Sequence, residues 1–238
     1  MNPTSSTDFS TDSAVYAYLP LMHELATRVQ LVASACEGRL NLEPSYAREY
    51  SYLQFRYICE LIALGCLQLH GDLPQAKKSS TKKEWNADKI MKVLHRDYES
   101  AFPQPAFREY VDNIYEIKCN TKPNALNLAE FKLLYFECGE VLHRGTIRSI
   151  NPSCLFTDHD YKRILHWQSK IVDLMNEHLI PRANGAGFYL ISLKTTSGYP
   201  ECSIFNTNQS GGFDVLIRTM NIVNKMQNKK LPNLPILY

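Results

Sequence analysis

The stretch from Phe55 to Leu67 constrains the fold more than any other part of the chain. Phe55, Ile58, Cys59, Ile62, Ala63, Cys66 and Leu67 recur at helical spacing and cover a wide arc. A helix apolar on so many sides belongs at the centre of a core rather than on its surface. The pattern predicts a helix from about Tyr46 to His70. Ser45 is the candidate N-cap, Arg48 and Glu49 follow in the first turns, and Gly71 is the stop. Arg56 and Glu60 sit four residues apart on this helix. Long charged side chains are seldom buried unless paired, and this spacing allows them to pair. Arg56 is therefore expected to be at least half buried and salt-bridged, with Glu60 or another acid. Its role is either a structural ion pair or a recognition group inside a pocket.

The rest of the chain reads as further helices followed by a change of period. Leu21, Leu25, Val29 and Val32 predict a helix with Pro20 in its first turn and Gly38 as its stop. Asn86 is an N-cap candidate, and Trp85 and Ile90 have the spacing of a hydrophobic staple for a helix reaching about Tyr98. Residues 107–119 fit neither helix nor strand. Phe131, Leu134, Tyr135, Cys138, Val141 and Leu142 predict a helix from about Leu128 to His143. Another runs from Thr157 and Asp160 to Leu179, stopped by Pro181. Phe188–Leu193 and Cys202–Phe205 then read as a hairpin around Gly198. After Gly211-Gly212, Val215–Thr219 fits a strand and Met220–Met226 a helix, and the tail Leu231–Tyr238 should be extended. The expectation is a mainly α protein, a helical bundle with a small C-terminal β-hairpin or three-stranded antiparallel sheet. Residues 1–13 form a flexible leader and 14–238 a single domain, with the bundle over 14–182 and the hairpin and C-terminal segment over 183–238.

Composition narrows the function classes. The 238 residues carry a net charge of +2, so overall charge does not announce nucleic-acid binding. Seven cysteines occur without any C-x-x-C spacing, which argues against a zinc knuckle and for reduced thiols. The N-terminus lacks the order of a signal peptide, and no uncharged apolar run is long enough to span a bilayer. A cytoplasmic, non-membrane protein is expected, with no cofactor and no metal.

The remaining chemistry is sparse. Neither a phosphate loop, a dinucleotide fingerprint nor a nucleophile elbow is present. Glu140 and His143 form one E-x-x-H pair, where a di-metal bundle needs two. His143 stands in a last helical turn, where a protonated imidazole favours the helix dipole. His70 stands in the same situation before Gly71. If the two helices converge, His70 and His143 face a common cleft with Arg56 or Glu60; if they run antiparallel, each histidine caps its own helix. Cys138, five residues before His143, is a weak nucleophile candidate.

Two segments carry a family resemblance. Phe55-Arg56-Tyr57-Ile58-Cys59-Glu60-Leu61-Ile62-Ala63 and Cys138-Gly139-Glu140-Val141-Leu142-His143-Arg144-Gly145, followed by Asn151-Pro152, resemble motifs of bacterial helical proteins, some of them found in mobile elements and defence contexts. Those proteins look like distant relatives of HEPN domains, helical bundles that are often dimeric and include metal-independent ribonucleases and toxins. The resemblance covers about 100 residues. An active HEPN ribonuclease carries Arg, four to six residues, then His, and none of the seven histidines here has an arginine at that distance. The resemblance thus implies a helical-bundle fold, a homodimer and a binding role. A non-catalytic module with a protein or RNA partner is expected, and the helix positions offer Arg56, Glu60, His70, Glu140 and His143 as its binding residues. The alternative is a metal-independent, toxin-like ribonuclease using His143 with Arg144 or Arg56.

Overall fold

The computed structural model describes residues 8–111, 114–119, 122–143, 158–183, 185–193, 195–208 and 213–220. Its helices are α1 (Asp8–Cys36), α2 (Pro44–Leu69), the single turn α3 (Ser79–Lys82), α4 (Ala87–Asp97), α5 (Leu128–Leu142) and α6 (Asp158–Met175). Its strands are β1 (Gln104–Val111), β2 (Ile114–Cys119), β3 (Glu177–Pro181), β4 (Gly187–Ser192), β5 (Glu201–Thr207) and β6 (Phe213–Thr219). They form one six-stranded sheet in the order β2-β1-β3-β4-β5-β6, and every neighbouring pair is antiparallel. This is an α+β fold. The expectation of a mainly α bundle with a small hairpin or three-stranded sheet is overturned by three strands it did not contain: β1, β2 and β3.

Each missed strand has a physical reason. The ambiguous stretch 107–119 is the β1–β2 hairpin, paired from Ala106↔Cys119 to Val111↔Ile114. Its charged residues, among them Glu109, Glu116 and Lys118, lie in an edge hairpin and obscure the alternation of a half-buried strand. β3 follows α6 after a single residue, Asn176, so Leu179 looked like a continuation of the α6 stripe. The backbone instead turns there, and the Asn176 carbonyl accepts from the Leu193 N–H at 2.9 Å.

Helix boundaries also moved. α1 begins at Asp8, inside the stretch read as a leader, and Pro20 lies in its interior instead of its first turn. An interior proline removes one helical hydrogen bond; Pro20 faces solvent, where water can satisfy the freed carbonyl. Pro44, not Ser45, opens α2, with Glu43 at the N-cap position. α4 is capped as expected, the Asn86 side chain accepting from the Lys89 N–H at 3.0 Å. Trp85 is 64% exposed, so the staple does not bury its ring. The expected helix Met220–Met226 beyond Met220, the extended tail and the helix start at Thr157 lie outside the described residues.

α2 is central, as its apolar arc requires. It packs against α1, α4, α5 and α6. The close approach of α1 depends on Gly65, where a Cβ would lie 2.6 Å from Cε2 of Tyr18. Ile191, Cys202 and Ile204 close this main core from the sheet. On the opposite sheet face, Ala106, Leu179 and Leu190 form a smaller cluster.

Candidate functional site

The polar side chains of α2 converge on α5 and α6 along one seam. Arg56 Nε lies 3.3 Å from Glu60 Oε1, and the two side chains are only 24% and 22% exposed. The Arg56 guanidinium also reaches the Tyr135 hydroxyl at 3.4 Å and lies 5.1 Å from the Tyr135 ring centre, a cation–π distance. Burial pushes the Glu60 carboxyl above its ordinary value, and Arg56 and Tyr135 offset only part of that rise. Arg56 is thus paired and mostly buried, as its place in an apolar helix demands.

One turn earlier on α2, Tyr52 donates its hydroxyl to Glu137 of α5. Glu137 also receives Arg163 Nε at 3.1 Å, Arg163 Nη2 at 2.7 Å and Trp167 Nε1 at 3.2 Å. Burial pushes this carboxyl up, but the hydrogen bonds from Arg163, Tyr52 and Trp167 outweigh it and hold it below its ordinary value. Tyr52 is raised, first by burial and then by its bond to Glu137. Sequence reasoning assigned Glu137 no role, because its partners come from helices 85 and 26 residues away.

The same contacts fix the direction of α5. Tyr52 meets Glu137 and Arg56 meets Tyr135, so the residue numbers run in opposite senses and the helices are antiparallel. His70 lies fourteen residues beyond Arg56, and His143 eight residues beyond Tyr135 in the other direction. At 1.5 Å per residue the two histidines are separated by roughly 30 Å along the bundle. The common cleft is not formed. His70 is buried at the end of α2, its ring set edge-on to Tyr98 at 5.6 Å. Among the described residues neither ring nitrogen has a hydrogen-bond partner. Burial lowers its pKa, opposed by the charge of Asp72, so His70 is a neutral core group.

His143 ends α5, its N–H bonded to the Gly139 carbonyl at 3.0 Å, and its side chain is exposed. Glu140 is exposed on the same face. Arg144, Gly145 and the Asn151-Pro152 pair lie outside the described residues. Cys138 is buried, and burial raises its thiol far above the range of a nucleophile, with Glu137 adding to the rise. The thiol of Cys66 is likewise pushed up to about 12 by burial.

A surface feature joins Glu140 and His143 to residues that sequence reasoning passed over. Ala129, Leu133, Phe136, Glu140 and His143 are the exposed positions of one α5 stripe. Phe136 is 66% and Leu133 51% exposed. The signal was legible in the spacing 129, 133, 136, 140, 143, but the inward face of α5 is apolar too, and a helix apolar on both faces gives no clean moment. Asn127 sets the start of this helix through a capping box with Glu130.

Two other polar groups lie away from the seam. His178 of β3 is fully buried. Its Nδ1 is 3.0 Å from the Met175 carbonyl, which can only accept, so the proton is on Nδ1. Nε2 then accepts from the Tyr18 hydroxyl at 2.6 Å. Burial lowers the His178 pKa to about 4, with the Met175 carbonyl and Glu177 opposing. A cavity of about 460 Å³ opens between the end of α4, the start of β1 and residues 122–128, lined among others by His95, Glu99, Gln104 and Lys122. None of Arg56, Glu60, His70, Glu140 and His143 lines it. Among the described residues no three His, Cys, Asp or Glu side chains are grouped to hold a metal ion, and no helix is long and apolar enough to cross a membrane.

Compared with protein-family models, with curated proteins and with solved structures, the chain matches none.

Proposed function

We propose that this chain is a non-catalytic interaction module that binds a protein partner through the outer stripe of α5. The observation that carries the reading is the exposure of Phe136 and Leu133 beside Glu140 and His143 on one helix face. Large aromatic and aliphatic anchors with a polar flank are the usual make-up of a protein interface. Glu140 on the stripe opposes nucleic-acid phosphate, which favours a protein over RNA. The buried seam supports the reading from the other side: Arg56 is held by Glu60 and Tyr135, and so is occupied within the fold.

The second reading, a metal-independent ribonuclease of HEPN-like origin, rests on the exposure of His143 at the end of α5. The two separate in one assay. Purified protein incubated with total RNA in the presence of chelator leaves the RNA intact if the module is non-catalytic. Cleavage that His143→Ala abolishes, in a variant with unchanged thermal midpoint, overturns it.

A further inference from the structure

The two edges of the sheet are built differently. At one edge, β2 carries Glu116 and Lys118, and Lys118 is bonded to Glu109 of β1 at 2.6 Å. Charges of this kind blunt an edge strand against further pairing. At the other edge is β6, Phe-Asp-Val-Leu-Ile-Arg-Thr, with neither lysine nor proline. It pairs with β5 at all seven positions without a bulge, from Glu201↔Thr219 to Thr207↔Phe213. Among the described residues its other edge meets no strand. One of its faces is apolar, and on the other Leu216 stands between Asp214 and Arg218. Phe213, Val215 and Ile217 point one way, and Ile217 is 58% exposed; Leu216 points the other way and is 38% exposed.

We propose that a second copy of this chain covers this edge, β6 pairing antiparallel with β6 about a twofold axis at Leu216. The charge pattern selects the occupant and the register. Strand pairing about Leu216 sets Asp214 opposite Arg218 of the second copy, and the symmetry repeats that pair. It also sets Val215 opposite Ile217 and Leu216 opposite itself. Opposite charges directly across an antiparallel pair stabilise it, and like charges destabilise it. Centring on Asp214 or Arg218 opposes like charges; centring on Val215 or Ile217 sets a charge against Leu216. Leu216 is thus the central position at which both charges and the apolar residues match themselves, as an isologous interface requires. Within one chain Asp214 accepts from Asn208 at 3.3 Å and Arg218 donates to the Ile217 carbonyl at 3.3 Å. The inter-copy pairs add to these bonds. The interface stands on the sheet alone and is independent of the α5 reading.

The test is sedimentation equilibrium on the full chain and four variants, with folding checked by circular dichroism. The wild type is a dimer. Asp214→Arg and Arg218→Asp each set like charges against each other twice and raise the dimer dissociation constant at least about tenfold. The double variant Asp214→Arg/Arg218→Asp restores the wild-type constant. Leu216→Lys, at a position already partly exposed, sets two ammonium groups at the axis and gives a folded monomer. This last variant keeps the test decisive if a charge reversal fails to fold. A wild type that stays monomeric, as it would if residues 221–238 of the same chain covered β6, overturns the proposal. So does a dimer indifferent to these substitutions, or a double variant that fails to recover.

Discussion

Replacing Glu137 by alanine removes the acceptor on which α2, α5 and α6 meet. Three donors lose it: Tyr52, Arg163 and Trp167. Arg163 is the most exposed of the three, 39% at its side chain, and rehydrates at little cost. Tyr52 and Trp167 are each only 2% exposed. A buried donor left unsatisfied costs about 1–3 kcal/mol. Two such donors, partly relieved by water entering at Arg163, give a loss of about 3 kcal/mol for Glu137→Ala. Glu137→Gln keeps a carbonyl acceptor and should lose less, about 1–2 kcal/mol. Urea unfolding followed by tryptophan fluorescence reads the difference, since Trp167 reports on the seam. The midpoint should fall by about 1 M at unchanged slope. The pH dependence has a definite sign. The folded carboxyl titrates below its ordinary value of 4.5, so its stabilisation is complete above that value and is lost as pH falls through the folded-state pKa. An alanine variant within about 0.5 kcal/mol of wild type at pH 7, the scatter of ordinary surface substitutions, would show that Glu137 does not hold the three helices together.

Three further substitutions probe other parts of the fold. His178 has its pKa lowered from 6.5 to about 4 by burial; the neutral ring is favoured in the folded state, so about 3 kcal/mol of stability is present above pH 6.5 and lost as pH falls toward 4. His178→Phe should flatten that part of the stability–pH profile measured by urea titration, and an unchanged slope would contradict the assignment. Gly65→Ala gains helix propensity but drives a methyl into Tyr18, so the thermal midpoint should drop by the equivalent of about 1–3 kcal/mol; a raised midpoint would show that α1 gives way freely. Asn127→Ala removes the side-chain half of the α5 capping box and should cost about 1 kcal/mol in chemical unfolding, with no loss if the helix start is fixed by packing alone.

Legibility in the sequence followed the physics of each element. α2, α4 and α5 bury continuous apolar faces, and α4 carries its own cap at Asn86, so periodicity and capping located them. The β4–β5 hairpin showed through its β-formers and Gly198. β3 was hidden because Leu174, Met175, Leu179 and Ile180 are all buried and helix passes to strand with only Asn176 between. β1 and β2 were hidden because their charges pair across the hairpin instead of marking a wet face. At the site, the Arg56–Glu60 pair was readable because both partners lie on one helix. Glu137 was not, because its value comes from three donors on two other helices. The His70–His143 cleft failed because similar local sequences at two helix ends say nothing of whether the helices run parallel; the contacts of Tyr52 and Arg56 with α5 show that they do not.

The docking role of α5 is tested most directly by a photo-crosslinking amino acid placed at position 136 in the full chain expressed in its native cells. One discrete adduct of this chain with a different protein is expected. That adduct is lost when Leu133→Asp is added, while the thermal midpoint of the variant stays within a degree or two of the parent, as expected for an exposed position. No adduct above background, an adduct with a second copy of the chain, or one indifferent to Leu133→Asp would contradict it.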